Sequence, residues 1–202
     1  MADVARERAI IFVDGNNLYM GLRGCYGIER LDLESFCRSL VQQRELRAIY
    51  YADANFLQER GQGNYSRQQT YFSHIRSIKG LIFRSGYYSK WTTPPVEKAV
   101  DVYLATDMVD LCHRDEFDVA YLVSGDADLA PAVDVVVRQG KRVINVYLDH
   151  PRRNSYALRR HCQGYFKHLT RSIAEQFQWH PSLPGETKIK PEPFGSGDPG
   201  SR

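Results

Sequence analysis

Short apolar runs alternate along the chain with longer segments in which apolar residues recur at helical spacing. Each run is rich in β-branched or aromatic residues and ends in turn-forming residues, which predicts buried strands. These runs cover residues 9–13, 46–52, 81–84, 120–123 and 143–148, with a further edge strand at 165–169. Strands that alternate with helices in this way are typical of an α/β fold with a central, mainly parallel sheet.

Apolar spacing also predicts the helices between these strands. A helix after Asp32 has its inner face from Leu33 to Val41, and another follows the spacing of residues 71–78. A third is predicted from Val96 to about His113, a fourth after residue 129, a short basic one at 154–161, and a closing one around 173–177. The segment that carries Gly21, Gly24 and Gly27 predicts a loop.

The run from Ala120 to Val123 stops abruptly, and Asp126 and Asp128 follow at the start of the next predicted helix. Pro131 fits the first turn of that helix. Two interpretations stay open. Asp126 is an ordinary helix N-cap, or both carboxylates face the crevice outside the carboxyl ends of parallel strands, where ligands bind.

Length and composition favour one domain over residues 1–179 and a disordered tail over 180–202, which is rich in Pro, Gly, Ser and charge. No apolar run approaches the roughly 20 residues of a membrane helix. The charged amino terminus lacks the apolar core of a signal peptide, so we expect a cytoplasmic protein that does not enter the membrane. Its four cysteines lack C-x-x-C spacing, which argues against a zinc site or a disulfide framework.

The net charge of +3 is distributed unevenly. Residues 138–171 hold nine Lys or Arg residues against one acid, Asp149. This excess is either a solvated face or a surface that attracts a polyanion. The loop over residues 86–95 carries Tyr87, Tyr88 and Trp91, which either pack on the sheet or form a platform for unstacked bases with the nearby Lys90.

Acidic residues recur where predicted elements reach one edge of the sheet. Asp14 ends the first strand as Asp126 ends the fourth, and Asp101, near the start of a predicted helix, reaches the same edge. Lys98 is predicted on the same helix face as Asp101, and Asp107 on a different, solvated face. Converging carboxylates repel one another unless cations balance them, and Mg²⁺ prefers such oxygen ligands.

Three segments carry a family resemblance: residues 12–17 (FVDGNN), 97–102 (EKAVDV) and 123–129 (VSGDADL). In this order they resemble the signature of the NYN domain, a PIN-like nuclease family, and most closely its LabA-like branch. The resemblance covers roughly residues 9–169. It implies a three-layer α/β/α sandwich of PIN type and metal-dependent cleavage of RNA.

The resemblance assigns metal binding to Asp14, Asp101 and Asp126, with Asp128 completing an acidic site for Mg²⁺ or Mn²⁺. It implies that Asn16 orients Asp14 or a metal-bound water. These residues, together with Lys98, form the predicted catalytic set.

Lys98 and Ala99, which come shortly before Asp101, also bear on the resemblance. It implies that Lys98 contacts the scissile phosphate or balances charge. Ala99 stands where the branch more often has glycine.

The main functional hypothesis is an endoribonuclease acting on single-stranded RNA. The residues predicted to bind the nucleic acid are Lys90, Trp91, Arg152, Arg153, Arg159 and Arg160. A non-catalytic RNA-binding regulatory module that kept the acidic pocket is the alternative, and a homodimer through the exposed sheet edge stays open. A phosphatase of the haloacid dehalogenase type is disfavoured because Asn16 and Leu18 stand where that chemistry wants an Asp and a nearby Thr.

Overall fold

A computed structural model describes residues 6–57, 61–89, 91–148 and 156–181. Its centre is a seven-stranded sheet in the order β4-β3-β2-β1-β5-β6-β7. The strands are β1 (Arg8–Asp14), β2 (Glu45–Ala54), β3 (Leu81–Tyr88), β4 (Glu97–Lys98), β5 (Val119–Val123), β6 (Arg142–Leu148) and β7 (Phe166–Leu169). All neighbours pair in parallel except β3 and β4. The predicted α/β architecture with a mainly parallel sheet is therefore confirmed.

Helices cover both faces of this sheet. They are α1 (Gly15–Tyr26), α2 (Leu33–Val41), α3 (Gln62–Arg76), α4 (Val100–His113), α5 (Ala130–Arg138), α6 (Tyr156–His161) and α7 (Arg171–Gln176). One apolar core packs α1, α2, α3 and α7 on the first face of the sheet. A second core packs α4, α5 and α6 on the other, so the molecule has three layers.

The loop predicted for the glycine-rich segment is wrong, because this segment forms α1. Leu18 and Leu22 are buried on its inner face. Gly21 allows a close approach, since a Cβ there would lie 2.8 Å from Leu148 Cδ1. Gly27 ends the helix at φ 74°, a left-handed conformation that favours glycine. The glycines thus serve packing and capping rather than a loop.

The helix predicted from Val96 begins at Val100 instead. The preceding Glu97 and Lys98 form β4, which pairs with Tyr87 and Tyr88 of a longer third strand. Lys98 and Asp101 therefore do not share a helix face, which corrects the prediction. Ala99 makes the corner between strand and helix at φ 75°. The physical reason is the β3–β4 hairpin, whose pairing leaves no helical turn before this corner.

Cys37 and Cys112 are buried free thiols, as predicted. No helix within the described ranges is long and apolar enough to cross a membrane. The predicted tail lies almost wholly outside the described residues, which end at position 181.

Candidate acidic site at the carboxyl edge of the sheet

Asp14 is the last residue of β1 and caps α1. Its Oδ1 accepts a hydrogen bond from the backbone N–H of Asn17 at 2.9 Å. Its Oδ2 accepts one from the Ser124 hydroxyl at 3.0 Å. The residue is only 4% exposed, and burial raises the pKa of its carboxyl group to about 7 even though the bonds from Asn17 and Ser124 lower it.

The turn after β5 positions the next two carboxylates. Ser124 Oγ accepts the N–H of Asp126 at 3.0 Å, and Asp126 Oδ1 accepts the N–H of Asp128 at 2.9 Å. The side chain of Asn17 closes the turn by accepting the N–H of Gly125 at 3.0 Å. Asp126 is thus the N-cap of a 3₁₀ turn that leads into α5. The cap uses one carboxylate oxygen, so capping does not exclude a ligand role for the other.

Asp101 lies in the first turn of α4, beside the same edge. Burial raises the pKa of its carboxyl group, and the charges of Asp126 and Asp128 raise it further. Asp101 in turn raises the pKa of Asp14. The structure therefore brings together all four acids that the sequence singled out, close enough for each to act electrostatically on another.

Two further acids at this edge were missed from sequence. Glu97 in β4 accepts a hydrogen bond from the Tyr88 hydroxyl at 3.3 Å. Burial raises its pKa to about 7, with smaller contributions from Asp53 and Asp14. Asp53, near the end of β2, is 1% exposed, and burial raises its pKa to about 6. The available signals were the position of Glu97 within its motif and of Asp53 at the exit of a predicted strand.

The structure also gives the surroundings of two other polar residues that were considered from sequence. Asn16 is partly exposed, and the groups that orient Asp14 are the backbone of Asn17 and the hydroxyl of Ser124. A role for Asn16 on a metal-bound water stays a prediction. Asp107 is partly buried rather than fully solvated, and Arg84 donates two hydrogen bonds of 2.8 Å to its carboxylate.

The predicted nucleic-acid residues are spread over the molecule. Trp91 is 96% exposed, and Tyr87 near it is 62% exposed. Arg160 is exposed. Arg159 instead is partly buried, and Nη1 donates to the Tyr147 hydroxyl at 2.9 Å while the guanidinium lies 5.4 Å from the ring centroid of Phe166.

Three other predicted nucleic-acid residues have no described position. Lys90, Arg152 and Arg153 lie outside the described residues.

The carboxylates fit a hard cation by their chemistry, because Mg²⁺ and Mn²⁺ prefer oxygen ligands. Across residues 6–57, 61–89, 91–148 and 156–181, no three His, Cys, Asp or Glu side chains are arranged to hold an ion together. Mg²⁺ usually takes one or two carboxylates and keeps several waters. The site as it stands is therefore compatible with that sparse kind of coordination and not with a closed cage.

Comparison with known proteins identifies the family of this chain. No curated protein matches the chain. A solved structure of a protein of unknown function from Vibrio parahaemolyticus is similar in fold, with a TM-score of 0.67, 22% sequence identity, and coverage of 84% of this chain and 96% of that one. The family model for the NYN domain matches residues 8–170, which include every acid described above. The LabA-like branch stays a resemblance. The chain belongs to the NYN domain family, part of the PIN-like nuclease superfamily.

Proposed function

We propose that this protein is a metal-dependent endoribonuclease that hydrolyses single-stranded RNA at the acidic edge. The observation that carries the proposal is the burial of Asp14 beside Asp101 and the Asp126 turn, where burial and like charge both raise pKa values. Keeping such groups ionised is costly without a cation. A bound cation offsets this cost, so the arrangement favours a protein that binds a metal ion.

One or two of Asp14, Asp101 and Asp126 would hold Mg²⁺ or Mn²⁺ directly, and the other carboxylates, with Asp128, would lie among the waters that the ion keeps. When bound, such an ion supplies a nucleophilic water and neutralises charge on the phosphate. The chain's own residues orient the carboxylates: Ser124 fixes one oxygen of Asp14, and the Asp126 cap fixes the turn. Lys98, exposed on β4, is proposed to contact the phosphate next to the cleaved bond.

Single-stranded RNA is the proposed substrate because unstacked bases bind to exposed aromatic rings. Trp91 offers such a ring between β3 and β4, the hairpin that also carries Glu97. Base stacking on a ring tolerates any sequence, so the proposal concerns the class of nucleic acid and not a particular RNA.

The test compares Asp126→Asn with Asp107→Asn. We expect Asp126→Asn to abolish cleavage of a labelled single-stranded RNA in Mg²⁺ or Mn²⁺ while RNA binding persists, because the substitution removes a charge and keeps the shape. Asp107→Asn changes an acid that is paired with Arg84 and should cleave normally. Undiminished cleavage by pure Asp126→Asn protein would refute the proposal.

A non-catalytic RNA-binding module is the second candidate, and one observation favours it. Among the residues whose placement is described, no three potential ligands are arranged around one ion position. This candidate predicts RNA binding that ignores divalent ions and yields no product. Thermal melting with EDTA, Mg²⁺ and Mn²⁺ separates the two, because an ion that binds the native state raises Tm by mass action.

A further inference from the structure

A pocket lies beyond Asp53 as seen from the acidic edge. It is bounded by residues of α1 and α3 and by the last described residues of the chain. Its volume is about 440 Å³, within the range of small-molecule pockets. We call it the Arg30 pocket. The lining residues that matter here are Tyr19, Glu29, Arg30, Phe56, Arg67 and Trp179.

Arg30 is a buried cation whose hydrogen-bonding capacity is mostly unused. Its side chain is 9% exposed, and its guanidinium lies 4.2 Å from the ring centroid of Tyr19. Nη1 donates to the Tyr51 hydroxyl at 3.4 Å and lies 3.7 Å from Asp53 Oδ2. A guanidinium has five N–H donors. Within the described residues Arg30 makes this one hydrogen bond and the ion pair with Asp53, and it lines the pocket, so its other N–H groups are available to a ligand there.

The walls of the Arg30 pocket are flat and aromatic. The rings of Phe56 and Tyr19 are 5.5 Å apart, and Trp179 packs edge-on against Tyr71 at 5.2 Å. Phe56 is fixed in place because its backbone N–H donates to the buried side chain of Gln68 at 2.6 Å. Aromatic walls with a few polar groups suit a flat heteroaromatic ligand.

Charge argues for a neutral ligand. Arg30 pairs with the buried Asp53 at 3.7 Å, and the other charged lining residues are one acid, Glu29, and one base, Arg67, so the pocket and Asp53 together carry no net charge. A nucleobase meets all these conditions, since its ring stacks and its carbonyl or ring nitrogen atoms accept hydrogen bonds from a guanidinium. The carboxylate of Glu29 can accept from the N–H groups of the same base.

The pocket adjoins the acidic site. Asp53 contacts Arg30 on one side, and a Cβ added to Gly15 would lie 2.6 Å from Asp53 Oδ2. Gly15 directly follows Asp14 in the chain. Asp53 therefore lies between Arg30, which lines the pocket, and the backbone next to Asp14, whose carboxylate is expected to bind the ion.

We propose that the Arg30 pocket binds one unstacked nucleobase of the RNA strand whose backbone lies at the acidic edge. The inference rests on the proposed function for the identity of the strand. It adds a base-binding subsite distinct from the exposed ring of Trp91.

Tryptophan fluorescence tests this directly. The chain has two tryptophans, so in Trp91→Phe protein the only one left is Trp179, in the pocket wall. In EDTA, where cleavage cannot occur, we expect a short single-stranded RNA to quench this fluorescence to saturation. Phe56→Ala in the same background should weaken the apparent affinity at least about fivefold, as loss of one stacked base does. Arg114→Ala, an exposed arginine on α4's far end, is the matched control and should not change it.

The comparison ligands separate the sources of the base. An abasic RNA of equal length should not quench, and equal quenching by it would overturn the proposal in favour of a phosphate site. Quenching by free nucleoside monophosphates but not by RNA would also overturn it. RNA cleavage in Mg²⁺ without any quenching in EDTA would refute base binding in the Arg30 pocket and leave the proposed nuclease function standing. Quenching in EDTA without cleavage in Mg²⁺ would refute the nuclease function and leave base binding standing.

Discussion

The hydroxyl of Ser124 joins two acids from distant parts of the chain, because it donates to Asp14 Oδ2 and accepts from the backbone N–H of Asp126, both at 3.0 Å. One small side chain thereby sets the distance between the end of β1 and the turn after β5. Its burial means that no water replaces it easily.

Ser124→Ala should therefore impair cleavage without unfolding the protein. Loss of a buried hydrogen bond to a carboxylate costs about 1–3 kcal/mol, and it raises the pKa of Asp14 further because the Ser124 bond lowers that pKa. We expect a higher Mg²⁺ concentration for half-maximal cleavage, most clearly below pH 7. Ser124→Thr, which keeps the hydroxyl, should retain more activity. Identical Mg²⁺ dependence of Ser124→Ala and wild type would contradict this positioning role.

The metal-free protein should lose stability as pH rises from about 4 to about 7. The pKa of Asp14 is about 7 in the folded state and ordinarily 3.8, so the folded state binds more protons over this range and the free energy of unfolding falls. The change reaches at most about 4 kcal/mol for this residue. Glu97, whose pKa is also raised to about 7, adds to it.

Urea unfolding in EDTA at several pH values measures this slope. Asp14→Asn should flatten it, and Mg²⁺ should reduce it in wild type because an ion stabilises the ionised carboxylates. A slope unchanged by Asp14→Asn would show that the carboxyl titrates normally. Arg8 lowers the pKa of Asp118 to about 2. The stability that Asp118 contributes is therefore lost only at more acidic pH and does not affect the slope measured here.

Ala99→Gly should stabilise the protein. A left-handed conformation costs a residue with a Cβ about 1–2 kcal/mol, and Ala99 adopts φ 75°. Glycine removes this strain but gains entropy in the unfolded chain, so we expect a net increase of about 0.5–1 kcal/mol in the free energy of unfolding. Ala105→Gly, within α4, is the control and should destabilise by about 1 kcal/mol. Equal losses in both variants would be inconsistent with strain at the β4–α4 corner.

Trp91→Ala should weaken RNA binding and leave stability unchanged. The ring is 96% exposed, so its removal deletes almost no packing, whereas a lost base stack costs about 1–3 kcal/mol of binding. Tyr165→Ala is the matched control, because this exposed aromatic precedes β7 and lies at the opposite edge of the sheet. Fluorescence anisotropy of a labelled RNA in EDTA measures both, and equal affinities for wild type and Trp91→Ala would remove the ring from the binding surface.

Sequence reasoning found the acids that follow apolar runs, since a run that stops at Asp14 or Asp126 marks a strand end by itself. It missed Asp53 and Glu97 because their proximity depends on strand order. Asp53 is recognised as a neighbour of Asp14 only once β2 is known to pair with β1. Glu97 counts only once β4 folds back on β3, with Gly86 admitting the Lys98 carbonyl at a distance no Cβ tolerates.

The α1 helix was missed for a related reason. Three glycines lower helix propensity, and although the cap at Gly27 is local, the contact of Gly21 with Leu148 is a tertiary feature. Local spacing does not reveal a partner more than a hundred residues away, so composition alone favoured a loop.

The bond between Asp14 and Ser124 spans 110 residues of sequence, which has a consequence for synthesis on the ribosome. Asp14 leaves the exit tunnel long before β5 is made. Until then β1 has no partner on the side where β5 pairs in the finished sheet. A nascent chain cannot assemble the acidic edge until most of the domain has emerged. The proposed cleavage activity is thereby tied to completion of the sheet, because a stalled or truncated chain that ends before β5 has only part of the acidic edge.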